Sequence, residues 1–219
     1  MVLITALLAA CVAGMLLVYL ERARPRPRQF MPVVVLAALA VVGRMLFVAI
    51  PNFQPATAVI IICGVYFGAY SGALCGVLVA LVSNLLLGQG LWTPWQMLAW
   101  GGVGLGAGLL FCRRSDRAGR SSGSTGRTQG STQAVWTVCV YGVVASLAYG
   151  MVMDTQYFFS FLLSGGWAAY GTALAAGALF NLAHAVSTAV FLALALKPWG
   201  RKIQRLITTY DLSGHCRHR

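Results

Sequence analysis

Apolar runs as long as a bilayer is thick, separated by short polar segments, leave this 219-residue chain few ways to fold. A hydrocarbon core of roughly 30 Å takes about 20 apolar helical residues to cross. Inside it, every backbone N–H and C=O has to be bonded within the protein, and helices meet that demand segment by segment. Apolar stretches fall at 2–20, 31–50, 56–69, 72–87, 96–112, 134–153 and 171–196. With 59% hydrophobic and 9% charged residues, the chain lacks the polar side chains to cover a water-facing surface. The expected fold is all-α, a polytopic membrane helical bundle.

The formal net charge of +12 would point to nucleic acid in a soluble protein. Here the cations sit between apolar runs, so they read as topology signals and contacts to the lipid bilayer, with no nucleic acid partner. One block is Arg22, Arg24, Arg26 and Arg28; another is Arg113, Arg114, Arg117, Arg120 and Arg127; the last is Lys197, Arg201, Lys202, Arg205, Arg217 and Arg219. Lys and Arg concentrate in cytoplasmic loops. As one helix of about 48 Å, residues 56–87 would split these blocks across the membrane. As two short helices with a turn near Tyr70, they put all three blocks on one side. Seven spans follow, with the N-terminus outside and the C-terminus cytoplasmic. The run 2–20 has no cation before it and four arginines after it, the reverse of a cleavable signal peptide, so it is expected to remain as a span.

Residues 115–133, rich in Ser, Gly, Thr and Arg, are expected to form a flexible cytoplasmic loop, and 197–219 a basic cytoplasmic tail whose helix lies on the membrane surface. The six cysteines show no CxxC spacing and read as small apolar residues, outside any disulfide or metal site. Gly68, Gly72 and Gly76, and likewise Gly104 and Gly108, recur at a spacing that lets helix backbones approach each other.

The expected topology leaves three loops outside: 51–55 (PNFQP), 88–95 (GQGLWTPW) and 154–170. They carry amides and aromatics, namely Asn52, Phe53, Gln54, Gln89, Trp92, Trp95, Gln96 and Tyr157, and one charge, Asp154. Trp and Tyr also populate interfacial belts; amides set among Pro and Gly are harder to explain that way, because the turn fixes backbone shape around polar groups. Within the spans, Arg44, Asn84, Asn181 and His184 need partners. Arg44, about midway along its span, either neutralises a substrate group or bonds helix carbonyls and Asp154. Asn84 and Gln96 flank the second loop and could line a cavity below it. His184 with Asn181 reads as an interhelical hydrogen bond.

Gly43-Arg44, Ile50 through Pro55, Gly64 with Gly68, Ser83-Asn84, the stretch Gly88 to Met97, and Tyr149-Gly150 with Asp154 together resemble the S components of energy-coupling-factor (ECF) vitamin transporters, most of all the cobalamin type. The similarity covers about residues 31–212, and GQGLWTPWQM is its most specific part. The resemblance implies a six-helix substrate-binding membrane domain at 31–196, with 1–20 as an extra N-terminal transmembrane helix. It further implies a bacterial cytoplasmic membrane location, a transmembrane scaffold subunit and two ABC-type ATPases as partners, and a vitamin ligand captured from outside. Many S components carry an Ala-x-x-x-Ala motif on the first core helix; here that spacing is on the extra span, at Ala6 with Ala10 and Ala9 with Ala13.

External loops without Lys or Arg suit a weakly charged ligand, so cobalamin is the expected transported substrate, with riboflavin or a queuosine precursor as alternatives. No resident cofactor is expected. The chain has no GxxxxGK[ST] phosphate loop, so ATP hydrolysis falls to partner subunits and the chain itself is not read as an enzyme. A Ser71–His184 protease dyad and a stand-alone channel or secondary transporter are the competing classes. A reporter fused after Arg120 is expected to read cytoplasmic and one at Gly90 external; a reversed pair would overturn the topology.

Overall fold

The computed structural model describes the backbone at positions 7, 10, 11 and 14 and through residues 27–120 and 129–210; side chains are described except at 27–29, 113–134, 159–166, 169 and 208. The expected first span, 2–20, lies almost wholly outside the described residues. Elsewhere the chain is helical: α1 (Pro27–Leu46), α2 (Ala56–Phe67), α3 (Ala69–Leu87), α4 (Thr93–Arg120) and the long run α5 (Gln129–Thr209). By length and composition, four stretches can cross a membrane: Ala69–Leu87, Thr93–Cys112, Val135–Phe158 and Tyr170–Ile207. Phe30–Leu46 and Ala56–Phe67 are shorter apolar helices.

Every residue of α2 except Tyr66 is buried, and Ile60, Ile61 and Ile62 are wholly inaccessible. A helix apolar on all sides suits either lipid or a protein core; here α1, α3, α4 and α5 surround it. Lipid is as apolar as these side chains, so close van der Waals packing rather than transfer from water holds the helices together. The outer helices turn large apolar groups away from α2; Leu109 on α4 and Leu194 on α5 are among the exposed ones.

Glycines set how near the helices come. A Cβ on Gly72 or Gly104 would strike the carbonyl of the other, one on Gly76 would strike the Trp100 carbonyl, and one on Gly108 the backbone of Ala69. The fourth-residue glycine spacing therefore serves packing between α3 and α4. Gly102, with nothing near its added Cβ, faces away.

The stretch 56–87 is two helices, as the charge argument requires, but the break falls at Gly68, two residues before the expected Tyr70. Gly68 has φ 92°, which side-chain-bearing residues rarely adopt, and its N–H still bonds Gly64 O at 2.9 Å.

α5 spans 81 residues, yet its parts pair antiparallel: Ser146 with Thr188, Asp154 with Asn181, and the ring of Phe158 against Trp167. In one straight helix, residues 154 and 181 would stand roughly 40 Å apart. The run therefore folds back between Phe158 and Trp167 into an outgoing arm and a return arm. The third expected loop, 154–170, is thus helical, because the sequence there is apolar and free of proline.

Helix also enters the ends of the segment read as a loop, with α4 reaching Arg120 and α5 starting at Gln129. The return arm continues through Pro198 to Thr209, with Ile203 buried and Ile207 packed on the core, rather than breaking into a separate surface helix. Cys63 and Cys75 are buried and free, as expected, but Cys112 is disulfide-bonded, so the reading of all six as plain apolar residues fails there.

Replacing Gly104 by valine forces α3 and α4 apart and should destabilise the fold by at least about 1–3 kcal/mol, the usual cost of overpacking. Gly102→Ala, on the open face, should leave thermal unfolding in detergent unchanged.

Candidate functional site

The start of α1, the end of α4 and the final turns of α5 carry the basic residues; the opposite, neutral end holds the connections 47–55 and 88–92 and the α5 reversal, without Lys or Arg. The polar side chains of the helices converge near this neutral end. Arg44 lies in the last turn of α1 and not at mid-span, because α1 ends at Leu46 and Phe47 turns away to pack on Phe53 and Phe191, with ring centroids 6.1 and 5.3 Å distant. From there Nη1 donates to Ser83 Oγ and, at 3.0 Å, to Asn84 Oδ1. The guanidinium carbon sits 5.1 Å from the centre of the Trp100 ring, within cation–π range.

Asn84 continues the network. Its Nδ2 donates to Thr93 Oγ1 at 3.1 Å and to Gln96 Oε1 at 2.7 Å, and Gln96 Nε2 donates to Tyr149 Oη at 2.8 Å. Thr93 Oγ1 donates to Gln89 Oε1 at 2.8 Å, which ties the loop to the start of α4. Asn84, Thr93 and Gln96 are buried, so each bond replaces one that water would have made.

A second chain runs alongside. Trp100 Nε1 donates to Thr57 Oγ1 at 3.0 Å, Thr57 lies 2.9 Å from His184 Nε2, and His184 Nδ1 lies 3.3 Å from the Asn52 carbonyl. One protonation pattern satisfies every member: Thr57 donates to Nε2, and a neutral imidazole carries its proton on Nδ1, aimed at Asn52 O. Trp100 and Tyr149 stack with centroids 5.2 Å apart at 15°, and Tyr149 lies 5.2 Å from His184, so the two chains share an aromatic column.

Of the residues expected at a site, Arg44, Asn84 and Gln96 are joined directly and Gln89 through Thr93. The loop 51–55 comes near by its backbone: Asn52 through its carbonyl, and Gln54 through its N–H and C=O, both held by Ser187 Oγ at 2.8 and 2.9 Å. Asn52 has φ 56°, a conformation asparagine tolerates. Phe53 belongs to the phenylalanine cluster. Trp92 is 44% exposed and folds over Gly90, where a Cβ would meet its ring; Trp95 is half-buried in the first turn of α4. Asp154 accepts from Asn181 at 2.7 Å inside the α5 hairpin, so neither the expected Arg44–Asp154 contact nor an Asn181–His184 bond forms. Tyr157 is exposed on the same hairpin. Ser71 and His184 sit at opposite ends of α2, roughly 18 Å at 1.5 Å per residue, which rules out their acting as a dyad.

Reading the sequence alone missed Thr57, Thr93 and Trp100 as site members. The signal was present: Thr93, Gln96 and Trp100 share one face of α4 at i, i+3 and i+7, and Thr57 interrupts an otherwise apolar helix start.

Thr57→Val keeps the shape and strands both Trp100 N–H and His184 Nε2. Thermal unfolding should report a loss of about 1–3 kcal/mol, with Thr57→Ser near wild type.

A family model for the ECF transporter, substrate-specific component, matches residues 28–196. No curated protein and no solved structure matches the chain.

Proposed function

The chain belongs to the ECF transporter substrate-specific component family, and from that premise we propose that it captures cobalamin for ATP-driven import. Membership makes it a multi-pass membrane protein and a substrate-binding transport subunit that works with an ECF module of scaffold and ATPases. The finer assignment is a six-helix binding core preceded by one extra transmembrane helix, oriented with the neutral end outside. Ligand then enters from the end whose connections lack Lys and Arg, and the basic end faces the cytoplasm.

The observation that carries the proposal is the pairing of aromatic faces with satisfied polar groups at the neutral end. Trp92 and Tyr157 are exposed there, and Trp95 is half-buried. The amides of Asn84 and Gln96 are fixed by their own network rather than turned toward solvent. A large, weakly charged ligand is best gripped by broad rings with a few placed polar groups. We assign binding to Arg44, Asn52, Phe53, Gln54, Asn84, Gln89, Trp92, Trp95, Gln96, Asp154 and Tyr157, with the aromatic residues dominant. Asn52 contributes its exposed side chain, since its carbonyl already serves His184.

Isothermal titration of the purified chain should detect cobalamin binding without any partner. Trp92→Ala or Trp95→Ala should weaken it by about 1–3 kcal/mol, as for a buried anchor. A folded preparation that binds riboflavin and not cobalamin would change the vitamin; wild-type affinity in both tryptophan variants would remove the aromatic grip.

A further inference from the structure

We propose that the ligand presents one oxyanion, a carboxylate or a phosphate, to Arg44; this rests on the substrate-binding reading above and narrows the substrate class.

The argument starts from charge balance. The chain has four acidic residues, Glu21, Asp116, Asp154 and Asp211. Asp154 is engaged by Asn181, and the other three lie in or beside the basic segments. Arg44 is therefore a cation within the bundle that no described carboxylate neutralises. Its partners are the hydroxyl of Ser83, the amide oxygen of Asn84 and the π face of Trp100, none of which carries a full negative charge. The C-terminal end of α1 adds about half an elementary charge at most. Arg44 is half-buried, and withdrawing a cation even partly from water without a counterion costs free energy that a bound anion would recover.

Hydrogen-bond capacity points the same way. A guanidinium has five N–H donors in a planar fork suited to two oxygens at once. Arg44 spends its Nη1 hydrogens on Ser83 and Asn84, which leaves Nε and Nη2 without an acceptor among the described residues. Asn84 spends both amide hydrogens. At the far end of the amide pair, Tyr149 accepts from Gln96, and its own hydroxyl proton has no acceptor among the described residues. Spare donors thus flank the Asn84–Gln96 bridge at both ends. Cobalamin, with a single phosphodiester, meets the requirement; riboflavin, which has no anionic group at neutral pH, does not.

Trp100, beneath the guanidinium, supplies the readout. The full chain in nanodiscs of zwitterionic lipid is titrated with inorganic phosphate and with propionate at constant ionic strength, against chloride, while tryptophan emission is followed. The expected result is a saturable change with one or both oxyanions, absent with chloride, lost in Arg44→Gln and in Trp100→Phe, and weakened about tenfold in Arg44→Lys, which keeps the charge but not the fork. Response to phosphate alone identifies a phosphoryl ligand; response to propionate alone, a carboxylate. No saturable response in the wild type, or an unchanged one in Arg44→Gln, overturns the proposal. If Arg44→Gln does not fold, equal affinities in wild type and Arg44→Lys overturn it instead. Loss of cobalamin binding with the anion response intact removes the vitamin and leaves the oxyanion site. Equal cobalamin affinity in wild type and Arg44→Gln does the reverse.

Discussion

The other helices enclose α2, whose residues are buried on every face but for Tyr66. Its enclosure dictates where the other helices go. The 12 residues of α2 also carry Thr57, a hydroxyl with no water to bond. In hydrocarbon an unbonded hydroxyl is expensive, so Thr57 has to draw polar groups from the helices around it. Trp100 comes from α4 and His184 from α5, and through His184 the Asn52 carbonyl is held as well. The Trp100–Thr57–His184 chain at the neutral end can thus be understood as the consequence of one hydroxyl in a fully enclosed helix.

The network also has a direction. Apart from Arg44, the Tyr149 hydroxyl and one Gln96 amide hydrogen, each donor is matched to an acceptor, and the pattern fixes the tautomer of His184 and the orientation of the Asn84 and Gln96 amides. Coupled hydrogen bonds of this kind hold side chains in one arrangement, and a half-satisfied network would be worse than an apolar core. Arg44 keeps the most donor capacity, and a charge with it, which sets it apart from Asn84, whose two amide hydrogens are both spent.

Much of the architecture was legible in the sequence, since apolar length and charge placement are one-dimensional properties. The cation blocks alone divided 56–87 into two helices, and glycine spacing marked the α3–α4 contact. The break was placed two residues late because the apolar runs 56–69 and 72–87 leave their gap at 70–71, whereas the backbone needed the positive φ of Gly68. The segment 154–170 was read as a loop because it lies between the spans 134–153 and 171–196, but it is apolar and free of proline, and the chain reverses there while staying helical. Among site residues, Arg44, Asn84 and Gln96 were visible because polar groups in apolar runs demand partners. Thr57 and Trp100 were not, since Thr and Trp are common in membrane helices and only packing reveals which of them meet. Asn52 and Gln54 join the network through backbone atoms, which side-chain chemistry does not report.

The return arm, Tyr170–Ile207, has a further mechanical meaning. At 1.5 Å per residue its 38 residues make a rod of about 57 Å, longer than a bilayer core is thick. It carries Ser187 and His184, which clasp the 51–55 connection, and, farther on, Lys197, Arg201, Lys202 and Arg205. A rotation of ten degrees or so about its middle would sweep each tip by about 5 Å, whereas His184 and Ser187, within about 7 Å of that point, would move by only about 1 Å. Torque applied by a neighbour at the cationic tip would therefore turn the arm about the 51–55 connection as its fulcrum and swing the α5 reversal at the other tip. Pro198, which removes one backbone hydrogen bond, marks the point where such a lever would flex first.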